Sequence, residues 1–439
     1  MRLCCGIMIR KNIFGVITIS AFLKKQYTYW KFSIRALNRK NPNILIFIIY
    51  GLLYETVMNI YKPFAVKFLQ RLGGTDFHIT LYNAMPGLVG ALALVPGIFY
   101  ISRFKTKKNI TSLFFFISRL FLLLIAFVPF LPPELRPIIF VALISIMNFP
   151  DALSQTSLQG FLGSVFDGRV RAEAISLRNQ FGYFIIPIVT TLTGIVISFL
   201  PRDDSQKITY YQVFFVIAFL IGMLEIIIFR RFDEKPDHTE KIPVSALIKV
   251  FRDTKFLKFC ISYLLVTFTW HAGWSLGNIF PIQYLGADEI WLAVMSLASG
   301  LGSFLSASYW SRLIRKKGNS LALAIASCFL SINMFGMVVQ QLWFLIPAWF
   351  VGGIGTIGIN ICILNGALTA TPDQDRLLYL GVYNTGTNLS LFIAPLFSLM
   401  IMRKIGILNM IILVGCLRIL SGFIMYAAGK RAPEASTRD

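Results

Sequence analysis

Glu55, Asn59 and Lys62 stand at spacing i, i+4, i+7 inside an apolar run, and Asp151, Ser154 and Gln155 form a similar trio later in the chain. On a helix each trio shares one face. A carboxylate in such a place can load and release a proton, and the amides beside it can hold the polar part of a small solute. Counted along their runs, Glu55 lies about 17 Å and Asp151 about 21 Å from the nearer start, close to the middle of a ~30 Å hydrocarbon core. An ionisable side chain there costs roughly 2.5–3.5 kcal/mol, so each needs a reason. The alternative reason is structural: a Glu55–Lys62 or an Asp151–Arg119 pair that locks helices. Lys62 precedes Pro63 and can snorkel toward the interface.

A second set is aromatic and amide-rich. Trp270, Trp274 and Asn278 are spaced i, i+4, i+8, with His271 and Ser275 between them. That face suits the apolar or aromatic part of a ligand. Asn360, Asn365, Asn384 and Asn388 follow in two later runs, and no acid lies inside the seventh, eighth, tenth or eleventh run. His271 reads either as a proton relay or as a satisfied structural donor. Arg119 and Arg418 lie deep in runs three and twelve, where a structural pair is expected. Arg178, beside Asn179 and Gln180 near the start of run five, is a candidate gate contact. The glycines of Gly352-Gly353-Ile354-Gly355 and Gly358 favour close helix packing. They lack the Lys-Ser/Thr ending of a phosphate loop.

These residues need helices to place them. The chain is 56% hydrophobic and 14% charged, with mean hydropathy +0.69. Ordinary soluble domains carry roughly 45–50% apolar and about 25% charged residues. A span needs about 20 apolar residues, and twelve runs qualify: Ile44–Val66, Ile79–Ile101, Ile110–Leu131, Pro137–Phe166, Ile175–Leu200, Tyr210–Phe229, Phe256–Ile282, Ile290–Trp310, Asn319–Val339, Leu342–Thr371, Leu377–Met402 and Ile407–Ala427. The runs are continuous and lack period-2 alternation, which excludes a β-barrel. The reading is an all-α polytopic membrane protein.

Lys and Arg outside the spans favour one side by about five to one, which puts both termini in the cytoplasm. Arg403 and Lys404 violate that bias. The net charge of +22 therefore reports topology, and no nucleic-acid partner is expected. Cys4, Cys5, Cys260, Cys328, Cys362 and Cys416 show no metal-ligand spacing, and neither metal nor cofactor is expected. Residues 1–43 are basic and aromatic without an acid. They read as a segment lying on anionic lipid, as a signal peptide, or as an extension ahead of a later start at Met8.

Short matches recur between the halves. Tyr50 to Leu72-Gly73-Gly74 parallels Tyr263 to Leu285-Gly286-Ala287; Ser102-Arg103 and Lys107-Lys108 parallel Ser311-Arg312 and Lys316-Lys317; Arg171 with Asn179 parallels Arg376 with Asn384. The order is the same in each half, so a six-helix unit is written twice in parallel. The expected organisation is a basic segment 1–43, a six-helix bundle 44–229, a cytoplasmic linker 230–255, a second bundle 256–429 and a tail 430–439.

Twelve spans, a parallel six-plus-six repeat, a central linker and a basic loop between the second and third helices resemble the major facilitator superfamily over residues 44–429. The family loop reads G-x-x-x-D-R-x-G-R-R. Arg103 and Arg312 fit its first Arg, and Lys107, Lys108, Lys316 and Lys317 fit the later basics. Ser102 and Ser311 replace its Asp, which in the family belongs to a charge network holding the outward-facing state. Gly182, Pro187 and Gly194 resemble the Gly-Pro motif of antiporter members. The resemblance implies a cavity lined by helices 1, 4, 7 and 10 and two bundles rocking about a midplane site. Arg171, Arg376 and Arg178 join the loop basics as candidate gating residues.

The function expected is secondary transport of a small organic solute, coupled to protons, with export of a cationic or neutral amphiphile ahead of uptake of a sugar or peptide by a permease or uniporter. The partners are that solute, protons and the bilayer, and the chain is expected to act as a monomer. A membrane transferase would need acids or histidines in sizeable surface loops, and only His78, His238 and His271 are present. A sensor or lipid scramblase on the same fold is the remaining alternative.

Overall fold

The computed structural model describes residues 28, 30–32, 34–35, 38–39, 41–101, 103–104, 106–166, 168–234, 246–372 and 376–431. Among these residues twelve long helices carry the fold: α1 (Asn43–Arg71), α2 (Asp76–Ile101), α3 (Lys108–Phe130), α4 (Arg136–Val165), α5 (Gly168–Phe199), α6 (Asp204–Phe229), α7 (Thr254–Ile279), α8 (Glu289–Lys317), α9 (Asn319–Met337), α10 (Leu342–Ala370), α11 (Arg376–Ile405) and α12 (Ile407–Arg431). A short helix, Ala246–Arg252, precedes α7. Eleven of the twelve are long and apolar enough to cross a membrane; α7 is as long, and its Thr267, Thr269, His271, Ser275 and Asn278 dilute its apolarity.

The repeat is visible in the backbone. Both α1 and α7 lose regular helix near a proline, α1 in a 3-10 turn at Lys62–Phe64 and α7 in a π-turn at Phe280–Tyr284. Each chain then turns at a glycine with positive φ, Gly73 at +92° and Gly286 at +69°. Glycine adopts that conformation without a Cβ clash, so the repeated Leu-Gly pair marks the same turn twice.

Helix ends extend past the apolar runs where capping permits. Asp203 accepts a hydrogen bond from Gln206 N and starts α6; Asp288 accepts one from Trp291 N and starts α8. A short side chain that satisfies an orphan N–H is a helix start signal. As a result Glu289 becomes the first residue of α8. It is fully buried, which corrects the expectation that this helix holds no acid.

Among the described residues three apolar cores hold the helices. One lies at the end away from the chain termini and draws on both halves, from Val57, Phe68 and Phe140 to Leu276, Met337 and Ile411. At the end bearing the termini there are two: one in the first half around Tyr50, Phe161 and Phe229, one in the second around Tyr263, Trp310 and Tyr379. The halves meet chiefly along α2 with α11 and α5 with α8. Gly87 of α2 lies against the α11 backbone at Asn388 and Phe392, where a Cβ would collide. Small residues permit such close crossings. Between those seams the packing leaves cavities.

Candidate functional site

A cavity of about 630 Å³ is lined on α1 by Tyr54, Glu55, Met58, Asn59 and Lys62, and reaches α7 and α8 through Asn278, Ser296 and Ser299. The trio Glu55, Asn59 and Lys62 thus shares one wall. Glu55 is held by Arg178 of α5 at 3.0 Å and not by Lys62. Arg178 also lies over the Tyr54 ring, 5.5 Å from its centroid, and fits against Gly51. Because α5 begins at Gly168, seven residues ahead of its apolar run, Arg178 sits about 15 Å into the helix. Asn179 accepts a hydrogen bond from its guanidinium.

A second cavity of about 310 Å³ lies between α2, α4 and α11. Asp151 and Gln155 line it together with Asn148, Asn384, Thr387 and Asn388. Asp151 Oδ1 and Gln155 Nε2 are buried and, among the described residues, have no hydrogen-bond partner. Arg119 stands 3.8 Å from that oxygen, yet its fork closes on Glu225 of α6 at 3.1 and 3.3 Å. Arg119 and Glu225 are both fully enclosed. Asp151 is therefore left as the incompletely satisfied member of a triad. Glu225 is absent from the sequence expectations, although its signal was available: an acid inside an apolar run, by the same insertion cost that singles out Glu55.

A chamber of about 250 Å³ opens beside the first cavity and shares Gly277, Asn278, Ser299 and Trp349 with it. Trp270, Trp274 and Asn278 line this chamber with Asn333, Trp349 and Arg418. The helical spacing brings the two tryptophans together, 6.0 Å between centroids and edge to face. Asn278 donates to Asn83 of α2 at 3.0 Å, a bond between the halves. His271 is buried and its Nδ1 is 3.1 Å from Ser390 Oγ, facing α11. Asn360 is exposed and lines none of these three cavities.

At the end away from the termini a polar latch joins the halves. Arg71 of α1 donates to both Glu289 oxygens at 2.7 and 3.2 Å and to Asp204 of α6 at 2.7 Å, and Tyr211 donates to Glu289 at 3.0 Å. Gln70 and Gln283 add a further hydrogen bond at 3.3 Å. No motif pointed to this network; it needs three helix ends to meet.

The basic loops differ. The carboxylate of Glu234, just after α6, accepts from the backbone N–H of Lys107 and Lys108, and the Lys108 ammonium reaches Phe232 O. That caps α3 from within the first half and leaves Arg103 exposed. In the second half the matching stretch is the last part of α8: Arg312, Lys316 and Lys317 are exposed, and Gly318 at φ +86° ends the helix. Ser102 and the side chains of Arg171 and Arg376 lie outside the described residues, as do most of residues 1–43. Trp30 is described and donates to Gln180 of α5 at 3.1 Å.

The family model described as Major Facilitator Superfamily matches residues 44–365. A search of curated protein sequences finds no match. Among solved structures, the chain resembles a mutant form of the nucleoside transporter NupG (12% identity, 88% of this chain and 99% of that one, TM-score 0.68). It also resembles a POT family transporter in complex with 5-aminolevulinic acid (12%, 90% and 97%, TM-score 0.67). A third likeness is to a bacterial homolog of the human lysosomal transporter Spinster, inward-facing and unoccupied (15%, 92% and 99%, TM-score 0.61). At these identities the likeness is one of fold, while the family match covers most of the chain. Twelve helices among the described residues, cavities between two six-helix sets and that match lead to one assignment: this chain belongs to the Major Facilitator Superfamily, a family of secondary transporters.

Proposed function

We propose that the protein moves a small organic amphiphile outward across the cytoplasmic membrane by alternating access, in exchange for protons moving down their gradient. The observation that carries the reading is the asymmetry of packing. One core and the Arg71–Glu289 latch join the halves at one end, whereas two separate cores hold them at the other. With both termini in the cytoplasm, as the charge bias favours, this arrangement is closed outside and opens inward.

Asp151 is the proton-coupling acid in this reading. Its unpartnered oxygen at the cavity wall, beside an Arg119 already engaged by Glu225, supports an exchange in which a proton or a solute completes its shell. Trp270, Trp274 and Trp349 support an apolar solute body, and Asn278, Asn384 and Asn388 support polar groups. An amphiphile enters bilayers unaided, so a carrier for it serves removal. Nutrient uptake is the second reading, favoured by the fold likeness to the nucleoside transporter NupG.

The test is proton movement in proteoliposomes while sugars, peptides, amino acids and lipophilic ions are added. A substrate-dependent pH change that Asp151→Asn abolishes is expected. Counterflow with no pH change, undiminished in Asp151→Asn and Glu55→Gln, contradicts proton coupling.

A further inference from the structure

Arg71, Arg119 and Arg178 each have a carboxylate within 4 Å. Arg418 does not, among the described residues. It is 3% exposed, and its guanidinium donates to backbone carbonyls: Nε to Thr269 O at 3.2 Å, Nη1 to Leu330 O at 3.0 Å and Nη2 to Trp270 O at 3.0 Å. Five N–H donors are available on a guanidinium, so three bonds leave two unused. Gly273 lets the guanidinium lie against α7, since a Cβ there would collide with Nη2. Arg418 forms part of the wall of the tryptophan chamber and, among the described residues, is the one charged residue lining it.

A buried charge without a counter-charge is costly. Carbonyl dipoles answer part of the cost and fix the fork's direction. They do not neutralise it. We propose that Arg418 docks a carboxylate of the transported solute, whose apolar body lies among Trp270, Trp274 and Trp349; this rests on the transport reading above. The charge selects the anion. A carboxylate carries one negative charge and accepts two parallel N–H donors in the plane of a guanidinium. A phosphate dianion would call for a second cation, and the described residues of the chamber wall include none. The solute class is therefore an amphiphilic organic acid, or a zwitterion whose cation faces Glu55 of the adjoining cavity. The cationic amphiphile expected from the acids alone leaves Arg418 unanswered.

Calorimetric titration of the purified protein in nanodiscs with 3-phenylpropionate and with its neutral amide tests this. The acid is expected to bind at least tenfold more tightly than the amide. Arg418→Met abolishes the preference, and Trp274→Leu weakens acid and amide alike. Arg418→Lys keeps the charge without the planar fork and lowers the preference at least threefold. It decides the matter where Arg418→Met does not purify folded. Equal binding of the two probes, no binding of either, or a preference that survives both Arg418 variants overturns the proposal. Solute-driven flux without acid preference sinks this inference and leaves transport standing; acid-selective binding without flux sinks the transport reading and leaves Arg418 as an acid-binding residue only.

Discussion

Arg119 and Glu225 are enclosed from every side, and removing Glu225 leaves the buried guanidinium with Asp151 alone, 3.8 Å away. Breaking such a buried pair costs about 3–5 kcal/mol. Glu225→Met is therefore expected to lower the thermal midpoint strongly, and the double change Arg119→Met/Glu225→Met to recover only part of the loss, because Asp151 then loses the Arg119 charge. Glu55→Gln removes a pair whose side chains remain 18–19% exposed beside a cavity, and such a pair loses less on truncation than one fully enclosed. Scanning fluorimetry of the purified variants checks the order. A Glu55→Gln protein less stable than Glu225→Met would mean that the pairs are ranked wrongly here.

Gly87 and Gly97 lie on the same helix and meet different neighbours. A side chain at Gly87 strikes the α11 backbone at Asn388 and Phe392; one at Gly97 strikes only the tip of Leu153. Backbone cannot swing aside, and overpacking costs roughly 1–3 kcal/mol. Gly87→Val is expected to destabilise the seam between the halves, while Gly97→Ala leaves the midpoint nearly unchanged; the same fluorimetry reads both. Much at this scale was legible in the sequence. Apolar runs gave the spans, and helical spacing gathered Glu55 with Asn59 and Trp270 with Trp274. The repeated Leu-Gly turn was legible because glycine suits its backbone best. Helix ends were less so: α5 starts at Gly168 and α8 at Glu289, since capping and polar turns set them and hydropathy does not. Partners were not legible. Whether Glu55 meets Lys62 or Arg178 depends on how two helices rotate and pack, which periodicity along one helix does not contain.

The latch is where the two halves answer to each other electrostatically. Glu289 is buried and Asp204 is 82% exposed in its side chain, so their losses differ. Truncating one partner of a buried interfacial charge pair costs about 2–5 kcal/mol; an exposed one costs little. Glu289→Gln is expected to open the end away from the termini, and Asp204→Asn to leave it closed. Each ~1.4 kcal/mol moves the ratio of two states tenfold, so the first change is enough to make the other state visible.

The most direct measurement is the distance between spin labels across each end of the molecule, by pulsed electron resonance in a background without native cysteines. One pair sits at the exposed Arg202 and Gln341, across the latched end; the other sits at the exposed Arg103 and Lys316, across the end bearing the termini. With Glu289→Gln, or with a transported solute bound, the first distance is predicted to lengthen as the second shortens. Two distances that stay fixed, or that lengthen together, would contradict alternating access in this protein.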